Sequence, residues 1–144
     1  MSNLHKVQKG FSITEVLLVV AIVMTIAAIG IPSLLSSREA AGSIAITSDL
    51  RVMHSNQIIF RSTRGRYGNL NEMNEFSNKQ FGKSIGTALQ HKGWILAMSP
   101  TPTSTTLRFQ YQTYAYKMKN GRVVSAYVIT QDGIVHPVLS PITF

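Results

Sequence analysis

Hydrophobic and polar positions divide the chain into three regimes. Residues 16–31 read VLLVVAIVMTIAAIGI, with Thr25 as the one polar side chain, and Phe11 and Ile13 extend the apolar character upstream. Residues 33–62 change to a helical period: Ile46, Leu50 and Met53 fall at i, i+4 and i+7, and Phe60 follows two turns on. Arg38, Glu39, Asp49 and Arg51 occupy other faces, so this stretch predicts an amphipathic helix with one buried stripe. Beyond residue 106 the period drops to two. Leu107, Phe109 and Tyr111 share one face of a predicted strand, and Val124, Ala126 and Val128 share one face of the next.

The first regime has membrane dimensions. A bilayer core about 30 Å thick needs roughly 20 apolar residues in a helix rising about 1.5 Å each, and residues 11–35 meet that length. No charged residue stands between Glu15 and Arg38. Residues 1–10, MSNLHKVQKG, are short, polar and basic and read as a leader; Lys6 and Lys9 predict that this end stays cytoplasmic while the rest is exported. Gly30 and Pro32 interrupt the run. Proline lacks the amide donor and clashes with the preceding turn at about 3 kcal/mol, so a kink or a locally unwound turn is expected there. Joined, the two halves make one helix of about 50 residues, roughly 75 Å long.

The remainder predicts a small sheet. Residues 63–78 are rich in Gly, Asn, Arg and Tyr and suggest a loop with a short helix at residues 70–76; SPTPTSTT at residues 99–106 is a second loop. Asn120-Gly121 stands between two alternating runs, a strong hairpin signal, and Gln131-Asp132-Gly133 marks another turn before Ile134 and Val135. The predicted class is α+β: a long N-terminal helix, membrane-spanning in its first half and amphipathic in its second, packed on a small C-terminal antiparallel sheet. Residues 1–10 form the leader, 11–35 the transmembrane and assembly helix, and 36–144 one exported globular domain, which is as much as 144 residues comfortably allow.

Composition narrows the chemistry. The formal net charge is +8, from fourteen basic and six acidic residues, and loss of the leader removes two of the basic ones. That balance favours anionic lipid, polysaccharide or nucleic acid as an encounter partner without defining a site. There is no cysteine, hence no disulfide and no thiolate metal site. His5, His54, His91 and His136 have no i,i+4 partner or neighbouring carboxylate cluster, so no metal is expected. Phe81-Gly82-Lys83-Ser84 resembles the end of a phosphate-binding loop, but Ser77 replaces its first glycine, and a solvated loop is expected. The scattered acids offer no acid/base pair, which predicts a non-enzymatic protein with no cofactor. Trp94 in GWILAM reads as core. Arg61, Arg64 and Arg66 with Tyr67, and Lys117, Lys119 and Arg122 near Tyr114 and Tyr116, combine cations with aromatics and are the candidate contacts for a polyanion; simple solvation is the alternative.

The stretch KGFSITEVLLVVAIVMTIAAIGIP resembles the N-terminus of type IV pilins and type II secretion pseudopilins. Gly10 before the scissile bond, Phe11 as new N-terminus, Glu15 four residues later and Pro32 in the helix carry the likeness, which covers residues 6–32 closely. IPSLLSSREAAGSIAITSDLRV looks like the continuation in some bacterial pilins, while the C-terminal half is similar in architecture only. The resemblance implies that a prepilin peptidase cuts between Gly10 and Phe11 and methylates the Phe11 amine. It further implies an inner-membrane precursor, an assembly platform in that membrane, and a periplasmic or cell-surface filament of pilin or pseudopilin subunits with stacked helices. It implies too that the segment around Pro32 can melt during assembly. Thr14 and Met24-Thr25 depart from the usual aliphatic pattern, and the missing cysteines depart from pilins that staple their C-terminal loop.

Glu15 has a physical reason of its own. A carboxylate just inside an apolar span costs about 2.5–3.5 kcal/mol, so it needs a partner, and cleavage creates one in the Phe11 amine of the same or a neighbouring chain. Pairing between chains sets axial register, since breaking a buried pair costs roughly 3–5 kcal/mol. Two competing readings are an ordinary anchor with Glu15 among lipid headgroups and a conventional signal peptide cut near Ala28-Ile29-Gly30. The sequence does not choose between pilus and secretion pseudopilus or between major and minor subunit, although the departures at Thr14 and Met24-Thr25 favour a minor or divergent one, and a minor pilin that binds DNA or another polyanion for uptake or adhesion is the alternative function.

Overall fold

A computed structural model describes residues 10–98 and 105–138; residues 1–9 of the leader and residues 99–104 of the second loop lie outside them. Helix α1 is Ile13–Arg64 and helix α2 is Leu70–Phe76. Strands β1 (Lys83–Ile85), β2 (Ala88–His91), β3 (Trp94–Met98), β4 (Gln112–Lys119), β5 (Arg122–Thr130) and β6 (Val135–Pro137) form an antiparallel meander in sequence order. Two units divide between Ala41 and Gly42.

In the first unit, residues 13–41 are helical without interruption. Of the two forms expected at Gly30 and Pro32, a kink or a locally unwound turn, the unwound turn does not occur, since both residues lie within the continuous helix α1. A chain with no neighbouring polar groups satisfies its backbone best by closing its own i to i−4 bonds. Side-chain hydroxyls do the same locally. Thr25 donates to the Ala21 carbonyl at 2.6 Å, and Ser36 and Ser37 donate to that of Ser33 at 3.0 and 2.9 Å, which hides polar groups inside an apolar run.

The second unit contains the core. Ile46, Leu50, Met53 and Phe60 are all buried, as the helical period predicts, and Gln57 is buried among them. The stripe meets Leu89, Trp94, Leu96, Ala115 and Ile129 from the sheet. Register explains this set: Leu96 pairs with Ala115 and Ala115 with Tyr127, while Met98 pairs with Thr113 and Thr113 with Ile129, so alternate residues of three strands share one face.

Two strand assignments made from the pattern are corrected. The core face of β5 is that of Tyr127 and Ile129; Val124 is half-exposed, and Ala126 is buried outside the main cluster. The pairing shifts between Lys117 and Met118, so Val124 is left as the extra residue of a bulge and drops out of the face that Ala126 and Val128 still share, opposite Tyr127 and Ile129. Leu107, Phe109 and Tyr111 do not form a strand. Thr106–Arg108 is a single 3-10 turn, which buries Leu107 and Tyr111 against Tyr67 and leaves Phe109 exposed.

Turn signals are realised where they were read. Asn120 and Gly121 have φ of 53° and 74° between the paired residues Lys119 and Arg122, the geometry of a two-residue hairpin. At the next turn the Asp132 carboxylate accepts from the Thr130 hydroxyl at 2.5 Å and the Ile134 amide at 3.1 Å. The segment read as a solvated loop at Phe81 behaves differently: Phe81 is in the core and β1 begins at Lys83. Gly82 between them has φ +100°, and a Cβ there would lie 2.1 Å from the Gln90 carbonyl oxygen, so this close approach needs glycine.

Candidate assembly helix and basic surfaces

Gly10 and Phe11 precede the first helical residue, and Phe11 is 81% exposed. The amides of Glu15 and Val16 turn back to the Ser12 carbonyl at 3.1 and 3.2 Å, which starts α1. Glu15 therefore sits in the first helical turn, where the aligned peptide dipoles favour an anion. Among the described residues no cation lies within ion-pair distance of its carboxylate. Val16, Leu17, Leu18, Val19 and Val20 are each at least 41% exposed. Five consecutive residues cover every side of a helix, so this segment is apolar all round. It is long and apolar enough to cross a membrane.

The first basic group divides by function. The Arg61 guanidinium donates to the Tyr67 hydroxyl at 2.8 Å and lies 4.8 Å from that ring's centre. Arg66 forms a two-pronged pair with Glu72 at 2.5 and 2.9 Å and also donates to the Tyr67 carbonyl at 3.0 Å. That pairing raises the Arg66 pKa and holds the Glu72 carboxyl below its ordinary value, with partial burial opposing both. Arg64 lies 5.9 Å from the Phe60 ring centre. Arg64 and Arg66 line one open cavity of about 770 Å³ with Gly65, Thr105, Arg108 and Phe109.

The second basic group lies elsewhere. Lys117, Lys119 and Arg122 occupy the far end of the β4–β5 hairpin. The cavity lies toward the start of β4, and that strand of eight residues spans roughly 25 Å, so the structure does not bring the two groups together.

Several contacts have no signature in the sequence. Arg108 and Phe109 join Arg64 at the cavity from more than 40 positions away. Asp49 accepts from His91 Nε2 at 2.9 Å and Lys92 Nζ at 3.0 Å, which ties α1 to the β2–β3 turn. His91 thus has the carboxylate neighbour that spacing did not reveal; His136, for which no i,i+4 partner was expected, has one in Asp132, whose carboxylate lies 3.9 Å from His136 Nε2. His54 Nδ1 and the Tyr111 hydroxyl are 2.6 Å apart, and burial pushes the Tyr111 pKa up. Among the described residues no three ligating side chains converge on a metal position.

No protein-family model, curated protein or solved structure matches this chain. Functional assignment therefore rests on the chemistry of its own residues.

Proposed function

We propose that this chain is a non-enzymatic structural subunit of a type IV pilus or type II secretion pseudopilus, released from its leader by a prepilin peptidase and assembled by helix packing. The observation that carries the reading is the first half of α1: apolar on every side, with one carboxylate, Glu15, in its first turn directly after Gly10 and Phe11. Such a surface requires apolar surroundings all round. Before assembly a bilayer supplies them; afterwards neighbouring helices do. Exchange of lipid for packed side chains contributes affinity without direction, and the charge pair between Glu15 and a Phe11 amine supplies register. An ordinary anchor leaves Glu15 without this role.

Intact-mass and N-terminal sequence analysis of the mature protein from membranes tests the reading. A chain beginning at methylated Phe11 is expected. A start at Ile31 would indicate a signal-peptidase product, and an uncut Met1 a simple anchor; either result removes the filament assignment.

A further inference from the structure

Among the described residues, the cavity between the end of α1 and the Thr106–Arg108 turn is lined by three arginines and no acidic residue. Arg64, in the last turn of α1, has an ordinary explanation, because a cation there complements the helix dipole. Arg108 has none. It comes from a separate element and is exposed; its backbone amide donates to the Thr105 carbonyl at 3.3 Å, while its guanidinium has no ion-pair partner among the described residues. Glu72 is engaged by Arg66, whose position is thereby fixed by the carboxylate and the Tyr67 carbonyl. Arg64, whose guanidinium lies near the Phe60 ring, and Arg108, from a different element, thus share a cavity whose third cation is already oriented, and neither has an ion-pair partner among the described residues. Like charges so placed repel unless an anion lies between them.

Beside them Phe109 is 74% exposed. The cavity is therefore a guanidinium cradle with an open aromatic face at its rim. Phosphate suits the cradle, since arginine offers paired N–H donors at the spacing of its oxygens. An unstacked base suits the ring, a contact worth about 1–3 kcal/mol. A duplex keeps its bases stacked and would leave Phe109 unused.

We propose that this cavity binds single-stranded nucleic acid, with backbone phosphate held by Arg64 and Arg108 and a base stacked on Phe109. The site lies wholly in the second unit and does not rest on the filament reading. It is distinct from the hairpin-tip cations, whose contribution to binding is only their charge.

Full-length protein in an uncharged detergent, titrated with fluorescein-labelled oligothymidylate and followed by anisotropy over a salt series, tests it. The pair Arg64→Gln/Arg108→Gln should weaken binding at least about tenfold and flatten the salt dependence. The pair Lys119→Gln/Arg122→Gln removes the same charge and should weaken it less than about threefold. Phe109→Ala should lose at least about fivefold for oligothymidylate, leave inorganic polyphosphate binding unchanged, and be rescued by Phe109→Tyr. Equal losses for the two charge pairs would reduce the effect to net charge and overturn the site. An equal effect of Phe109→Ala on both ligands, or no oligothymidylate binding at low salt, would also overturn it. All five side chains are exposed, and unchanged melting temperatures confirm that the variants are folded.

Discussion

Gln57 is completely buried in the middle of an otherwise apolar helix stripe, four residues after Met53 and three before Phe60. Its amide donates to the Gly68 carbonyl and accepts from the Gly68 amide, both at 2.8 Å. One side chain thus satisfies both backbone groups of a buried residue in the segment that follows α1, and fixes the return of the chain toward α2. Gln57→Leu keeps the volume and the helix but orphans both groups, at about 1–3 kcal/mol each. A clear fall in the urea midpoint is expected, with the slope unchanged. A loss below about 0.5 kcal/mol would show that solvent reaches Gly68 when the clamp is removed. Periodicity reads Gln57 as a gap in the stripe, because the partner that makes it useful lies outside the helix.

At the scale of elements, α2 is held by its first turn. The Asn69 side chain accepts from the Glu72 amide and Glu72 accepts from the Asn69 amide, both at 2.9 Å, a reciprocal cap that the same carboxylate extends to Arg66. The Glu72 pKa is lowered first by the Arg66 hydrogen bond. A carboxyl whose folded pKa is depressed binds fewer protons in the native state than in the unfolded state. Its contribution is complete above the unfolded value of about 4.3 and disappears as pH falls through the lower folded value. Glu72→Gln retains cap geometry without charge, so it should cost about 0.5–1 kcal/mol at neutral pH for this partly exposed pair, and the gap to the parent should close toward pH 3. Thermal melts of both proteins from neutral pH to acid check this; a constant gap would assign the loss to shape rather than charge. Short helix α2 and the Asn120-Gly121 turn were legible because their chemistry is local. Residues 106–111 were not: alternating apolar residues fit a strand and a buried 3-10 turn equally well, and the contact of Leu107 and Tyr111 with Tyr67 decides between them.

For the whole molecule, the decisive contrast is between a helix half whose apolar side chains are exposed and a helix half that completes a core. If Glu15 sets register between subunits, Glu15→Ala should leave cleavage after Gly10 intact and reduce recovery of the subunit in sheared filaments by at least about tenfold, given the cost of an unmatched buried charge. Immunoblots of filament and membrane fractions, with the mature band as the processing control, measure both. Normal incorporation would remove the charge pair as the source of register.

Sequence alone determined the α+β class, the apolar first half of α1, the buried stripe from Ile46 to Phe60 and the principal hairpin, because each depends on periodicity or on the backbone freedom of one or two residues. Only tertiary structure decided which face of β5 enters the core, that Phe81 is buried, that Asp49 meets His91, and that Arg108 and Phe109 stand beside Arg64. Those outcomes depend on packing between elements and on contacts between residues distant in the chain, and neither leaves a local pattern to read.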